Sequence, residues 1–167
     1  MGRTMDQWDT CGVVDFHVGP LVNGGPDRVV VLRHGAVNQM TVYDEMTGDP
    51  LWDAGLGGAP VALAVVRGDS ETSVRCYVAE QFGWLVEFDG TGKRVSATRI
   101  ASNLSDMHVS ADGRLFVWSA EALHIVNRGR MQDRYTLAEN PLGWYAHPSG
   151  PGLLCLSRQR LMLVELL

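Results

Sequence analysis

Three histidines, His17, His108 and His147, are the residues whose type and placement best suit metal chemistry. Each follows apolar or aromatic residues and comes shortly before a turn signal. Imidazole is a common ligand of zinc, so three rings brought together would bind zinc or another divalent metal. Asp15 and Asp106, each two residues before a histidine, would be further ligands or would orient the rings. In the alternative interpretation each histidine bonds only the backbone of its own turn.

A second group of reactive residue types is the run Ser105-Asp106-Met107-His108, which holds a hydroxyl, a carboxylate and an imidazole. A regular strand would place Asp106 and His108 on one face and Ser105 on the other, which separates nucleophile from base. The chain contains no Gly-x-Ser-x-Gly nucleophile elbow and no phosphate-binding Gly-x-x-x-x-Gly-Lys loop. We therefore expect no catalytic residue and no cofactor, apart from the divalent metal.

Aromatic residues are the candidates for binding a partner. Trp84 and the pair Trp144-Tyr145 each follow a glycine at the start of a predicted strand, and Trp118 lies near the end of one. Tryptophan is usually largely buried, so one interpretation is that these side chains pack in the core. If two of them are exposed on one rim, they form a hot spot for protein interaction.

The elements that must position these residues are short β-strands. From Gly12 onward apolar runs alternate with turn signals, and no window has a helical period. The predicted strands fall into four sets: Val13–Val18, Arg28–Arg33, Met40–Asp44 and Pro50–Leu56; Pro60–Val66, Ser73–Ala79, Trp84–Asp89 and Lys93–Ile100; Asp106–Ser110, Leu115–Ser119, Ala122–Asn127 and Met131–Leu137; Gly143–His147, Leu153–Ser157 and Leu161–Leu166.

The spacing of these sets predicts an all-β propeller of about four blades. Asp44, Asp89 and Asn127 end the third strand of their sets and lie 45 and 38 residues apart, close to the roughly 40–45 residues of a propeller blade. The predicted blades span approximately 12–56, 60–100, 106–137 and 143–167. First strands line the axis of a propeller, which would bring the three histidines towards one another. A β-sandwich is the alternative architecture.

The last predicted set has three strands, which leaves two arrangements open. Residues 1–11 form an N-terminal segment in which 2–10 would supply the missing outer strand and close a small ring. Closure removes the sheet edges that otherwise invite aggregation. In the other arrangement the chain is an open half-ring that a second copy or another chain completes.

One stretch resembles a known repeat. Val42–Trp52 resembles the repeat of quinoprotein-type (PQQ-like) propellers, in which a strand ends in Asp, a Thr-Gly turn follows, and a Trp comes four residues after the Gly. Asp44, Thr47, Gly48 and Trp52 match that pattern. The resemblance implies that Trp52 packs between neighbouring blades and that these four residues are structural.

The other repeats match less well. Trp84–Val95 keeps the Asp and the Gly but has Ser96 where Trp would fall, and His108–Val117 resembles the Asp-Gly hairpin of WD-repeat blades. Dehydrogenases of the quinoprotein family are much longer and bind quinone and calcium across a complete ring. The resemblance therefore supports the fold and does not carry the enzymatic activity to this chain.

Composition limits the partners. Of 167 residues 46% are apolar and 20% charged, and the net charge of −5 argues against a nucleic-acid or anionic-membrane surface. The three cysteines, Cys11, Cys76 and Cys155, fit no zinc spacing and suit a reducing compartment. Neither an apolar signal core nor a run long enough to span a bilayer is present, so we expect a cytoplasmic protein.

We therefore expect a non-enzymatic scaffold that binds a protein partner or associates with itself. The first alternative is a propeller domain that binds a metal or small ligand through the histidines. The second alternative is a partial ring of a quinoprotein-like enzyme that another chain completes.

Overall fold

The computed structural model describes residues 11–67, 74–110 and 113–136, and the backbone alone of 143–146, 152–156 and 161–165. The strands are β1 (Cys11–Pro20), β2 (Asp27–Gly35), β3 (Gln39–Asp44), β4 (Pro50–Gly55), β5 (Pro60–Arg67), β6 (Val74–Glu80), β7 (Trp84–Asp89), β8 (Arg94–Arg99), β9 (Leu104–Val109), β10 (Leu115–Ser119), β11 (Ala122–Asn127), β12 (Arg130–Thr136), β13 (Gly143–Ala146), β14 (Gly152–Leu156) and β15 (Leu161–Glu165). The described residues contain no helix, and so none that is long and apolar enough to cross a membrane.

The strands form antiparallel sheets whose order follows the chain. Strands β1–β4, β5–β8 and β9–β12 make three four-stranded sheets, and β13–β15 make a three-stranded one. These are the first to fourth sheets below. The prediction of an all-β fold built from repeated sheets is confirmed.

The sheets stack as propeller blades do. Strand β1 contacts β5, and β5 contacts β9, so the first strand of each of these sheets lies on the same inner side. One apolar core joins the first sheet to the second, with Val30, Leu32, Met40 and Val42 meeting Leu63, Val78 and Val86. A second core joins the second sheet to the third, with Ala62, Ala64 and Leu85 meeting Met107, Leu115 and Val117. The sheets form an open arc that does not close into a ring within the described part of the chain.

The turns between third and fourth strands explain the periodic Asp and Gly. The Asp44 carboxylate accepts the backbone N–H groups of Met46 and Thr47 at 3.0 and 3.1 Å, and Gly48 takes a φ of 71°. These hydrogen bonds lower the pKa of the Asp44 carboxyl, and the bond from Thr47 has the largest effect. Asp89 bonds Thr91 and Lys93 in the same way, ahead of Gly92 at φ 86°.

Trp52 of the first sheet packs against the second sheet and the core between them. A Cβ added to Gly92 would lie 2.6 Å from Trp52 Cε3, so the indole of the first sheet rests directly on the β7–β8 turn of the second. Glycine is required at that turn both for its positive φ and for this close approach.

The inner strands β1, β5 and β9 each carry a β-bulge near their start. The extra residue is Val14 in β1, Val61 in β5 and Ser105 in β9. A bulge inserts one residue and re-aims the side chains that follow it. Strand β9, the first strand of the third sheet, begins at Leu104, two residues before the predicted start at Asp106. The predicted closing strand at residues 2–10 lies outside the described residues.

Candidate interaction surface

One end of the arc is formed by turns that are hydrogen-bonded to one another. We call it the loop rim, and it comprises residues 35–38, 56–59, 81–83 and 100–103. Leu56 N–H donates to the Asn38 carbonyl at 2.9 Å, and Gln81 N–H donates to the Ala59 carbonyl at 2.8 Å. Ile100 N–H donates to the Gly83 carbonyl at 2.8 Å. The rim is thus a continuous backbone network that runs across the first and second sheets and on towards the third.

A buried carboxylate supports this rim from below. Glu80 is buried at the end of β6, and its Oε1 accepts the Gly57 N–H at 3.1 Å. A Cβ on Gly58 would lie only 2.9 Å from Glu80 Oε2. Glycines 57 and 58 therefore allow the β4–β5 loop to lie directly over the carboxylate, which fixes the loop in place.

The β6–β7 turn is held still more tightly. Gly83 has a φ of 92°, and a Cβ at this position would lie 1.7 Å from the Ala101 carbonyl oxygen. On either side of this glycine stand two exposed aromatic side chains, Phe82 with 63% and Trp84 with 40% of its surface accessible. Val37, in the neighbouring β2–β3 turn, is also exposed. A rigid backbone thus presents two large apolar side chains at one turn.

The predicted aromatic residues have different fates. Trp84 is on the surface, as a binding role requires, and it is paired across the strands with Arg99. Trp118 is 1% exposed and packs 6.4 Å from Phe116 between ring centroids, so it belongs to the core and is not available to a partner. The reason is that β10 is a central strand with both faces covered. The side chains of Trp144 and Tyr145 lie outside the described residues.

Phe82 was missed by the sequence reasoning. The run Gln81-Phe82-Gly83-Trp84 places an aromatic residue within a tight turn, where polar residues are usual. That contrast is the signal which could have identified it.

The predicted histidine site is only partly described. His17 on β1 is half-buried, and burial together with the nearby Arg67 lowers its pKa. His108 on β9 is exposed, and His147 lies outside the described residues. Within the described residues, those around His17 and His108 included, no group of three or more His, Cys, Asp or Glu side chains could hold a metal ion. The trio therefore stays a prediction.

The two aspartates expected beside these histidines have structural roles. The Asp15 carboxylate accepts the Phe16 N–H at 2.8 Å and the Leu63 N–H of β5 at 2.9 Å. The second of these hydrogen bonds connects the first sheet to the second. Asp106 accepts the Met107 N–H at 2.7 Å. Because β9 is bulged at Ser105, the regular alternation assumed for this strand is wrong, and Ser105 and Asp106 are both exposed.

A serine and a histidine do meet elsewhere, in the third sheet. Ser119 Oγ lies 3.2 Å from His124 Nε2, and both side chains are buried. Ser119 Oγ also accepts the Ala122 N–H at 3.1 Å and so closes its own hairpin. His124 Nδ1 has no hydrogen-bond partner in the described structure, so no carboxylate orients the ring. The pair lies inside the sheet stack and is structural.

Cys76 is a buried free thiol in the second sheet. Burial raises its pKa to about 12, which keeps the thiol neutral and unreactive. It packs as a small apolar residue in the core between the first and second sheets.

No model of a known protein family matches the chain, and neither does any curated protein. Solved structures with the same fold are found at low identity. BBS1N in complex with ARL6DN is 13% identical with a TM-score of 0.73, and the match covers 93% of this chain and 52% of that one. Hydrazine synthase from Kuenenia stuttgartiensis is 15% identical with a TM-score of 0.75, covering 99% and 49%. The WD40 β-propeller domain of Doa1 is 11% identical with a TM-score of 0.66, covering 92% and 50%.

These similarities confirm the β-propeller fold. The chain spans about half the length of each of the three propeller structures, in agreement with the open arc of sheets. One neighbour is a complex between two proteins and one is an enzyme by name, so the fold occurs in both classes.

Proposed function

We propose that this chain is a non-enzymatic protein-interaction scaffold whose loop rim binds a protein partner. The observation that carries the proposal is the exposed pair Phe82 and Trp84 on a turn fixed by Gly83. Aromatic side chains bring large contact area with few rotatable bonds, and interface hot spots are enriched in tryptophan. The complex of BBS1N with ARL6DN and the WD40 domain of Doa1 support a scaffold role for this fold.

Three carboxylates of the second sheet have structural partners, and this also supports the proposal over an enzymatic function. Glu87 is buried and accepts the Ser96 hydroxyl at 2.8 Å, and its other oxygen is 3.1 Å from Arg75 Nε. Asp89 closes its turn, and Glu80 holds the β4–β5 loop. Each of these groups is engaged in holding a turn or a strand pair, and such a role explains its position without catalysis.

The test compares the proteins retained from a cell extract by four immobilised chains: wild type, Phe82→Ala, Trp84→Ala and Met46→Ala. Met46 is 88% exposed on the β3–β4 turn at the opposite end of the sheets, so its variant is the matched control. We expect a protein that binds wild type and Met46→Ala and is lost from both aromatic variants. With the purified partner, each aromatic variant should bind about 30-fold more weakly, the effect of a hot-spot loss of about 2 kcal/mol.

Circular dichroism of each variant ensures that loss of binding is not loss of fold. Substitution of an exposed side chain is expected to change stability by only about 0.5 kcal/mol. Identical retained proteins for all four chains would contradict the proposed role of the rim.

A further inference from the structure

On the outward face of the first sheet the apolar side chains of the inner strand β1 are exposed, whereas Val31 of β2 and Thr41 of β3 on the same face are buried. On β1, Phe16 is 65% exposed and Val18 is 49% exposed, and Val14 is exposed beside them. The neighbouring Asp15 and His17 point the other way, since Asp15 bonds Leu63 of the second sheet and His17 lies near Arg67. Phe16 and Val18 therefore face away from the second sheet, on the side where a preceding blade would stand.

The bulges allow the three inner strands to be aligned residue by residue. Counting from the bulged residue, Phe16 of β1 corresponds to Leu63 of β5 and to Met107 of β9. Leu63 is 8% exposed in the core between the first and second sheets, and Met107 is 6% exposed in the core between the second and third. In both cases the preceding blade covers the side chain. Phe16 has the same place in its blade, and none of the described residues covers it in this way.

The same comparison holds two residues further along. Val18 corresponds to Val65 and Val109, which are partly buried and pack against those two cores. The exposed face of β1 thus repeats a blade–blade interface that this chain already forms twice.

We propose that this face binds a second copy of this chain, so that two arcs complete one propeller ring. The chain spans about half of each of the three propeller structures, and a second copy would add the same number of sheets again. Within the arc the third sheet is covered on both faces, because Phe116 and Ile125 on one face and Val117 and Val126 on the other are all buried. Among the described side chains the open face is therefore that of β1.

The sequence of the fourth sheet supplies the complementary apolar chemistry. Residues 153–156 read Leu-Leu-Cys-Leu, and residues 161–164 read Leu-Met-Leu-Val. Consecutive apolar residues in a strand are typical of sheets covered on both faces. With a two-fold axis along the channel, the first sheet of each copy meets the last sheet of the other, and the contact forms twice. This inference does not rest on the loop rim.

The experiment measures the mass in solution of the full chain by light scattering after size-exclusion chromatography. Wild type is expected at twice the chain mass of 18.3 kDa. Phe16→Glu should give the single-chain mass with an unchanged circular dichroism spectrum, because a carboxylate cannot be buried unpaired in an apolar interface. We expect its self-association to weaken by at least about 100-fold. Val18→Glu serves as a second variant on the same face.

Phe82→Glu is the matched control, since Phe82 is a phenylalanine of nearly equal exposure on the loop rim. It should remain a dimer, while it loses the partner proposed for the rim. The inference is overturned if wild type has the single-chain mass at concentrations up to about 100 µM. It is also overturned if Phe16→Glu and Val18→Glu dimerise as wild type does, or if masses extend beyond the dimer, because a closed ring leaves no free face.

Discussion

Replacing Gly92 with alanine tests the contact that joins the first two blades. The new methyl group would lie 2.6 Å from Cε3, 2.8 Å from Cδ2 and 3.0 Å from Cζ3 of Trp52. All three atoms belong to the indole ring, which packs against the core between the sheets. The ring therefore cannot change its rotamer without losing that packing. The methyl group therefore forces the indole or the turn to move.

Gly48 offers a matched control at the corresponding turn of the first blade. It has a similar φ of 71°, and a Cβ there would meet nothing within 4 Å. Gly48→Ala should cost only the strain of a left-handed alanine, about 1–2 kcal/mol. Gly92→Ala adds overpacking of about 1–3 kcal/mol to that strain, for a total of about 2–5 kcal/mol.

The assay is urea unfolding followed by circular dichroism for both alanine variants, in the wild-type chain and in a Trp52→Ala background. The excess cost of Gly92→Ala over Gly48→Ala should disappear when the indole is absent, which gives a coupling of about 1–3 kcal/mol. Equal costs for the two glycines in the wild-type chain would refute the packing of Trp52 on the turn. An excess that persists without Trp52 would assign the clash to another group.

Two further predictions concern the connections within the arc. Asp15→Ala removes the carboxylate that accepts the Leu63 N–H, so the free energy of unfolding should fall by about 1–3 kcal/mol in urea titrations, whereas the exposed Asp53→Ala should change it little. Burial and then Arg134 lower the pKa of His124, so protonation favours the unfolded chain. The free energy of unfolding should therefore be highest above the ordinary histidine pKa of 6.5 and should decrease below it, by up to about 1.4 kcal/mol per pH unit. A His124→Gln variant should show a flatter pH dependence of the melting temperature, and an unchanged slope would contradict this assignment.

The sequence was sufficient to predict the strands and their grouping because the turns are encoded locally. Asp44 with Gly48, and Asp89 with Gly92, provide the hydrogen-bond acceptor and the positive φ that each turn requires, and neither depends on distant contacts. The packing of Trp52 on Gly92 joins residues 40 positions apart, and it is visible only in the structure. The Asp and Gly of each turn lie on the local scale that a single sequence displays directly.

The bulges and the exposure of individual aromatics could not be predicted in this way. Whether β9 is regular or bulged at Ser105 depends on how its neighbour β10 pairs with it, and nothing in the residue types of that run indicates the shift. Trp118 and Trp84 look alike in sequence, yet one lies on a central strand covered on both faces and the other on a rim. Phe16 is of a residue type usual in cores, yet it is 65% exposed because no sheet among the described residues packs on it.

A crystal structure of the full chain, with attention to what covers Phe16, tests the account most directly. The account predicts that a sheet from a second copy packs on Phe16 and Val18, and that the exposure of Phe16 falls to the level of its counterparts Leu63 and Met107. A Phe16 side chain in solvent in a monomeric arc, or sheets rearranged into two flat layers face to face, would contradict it.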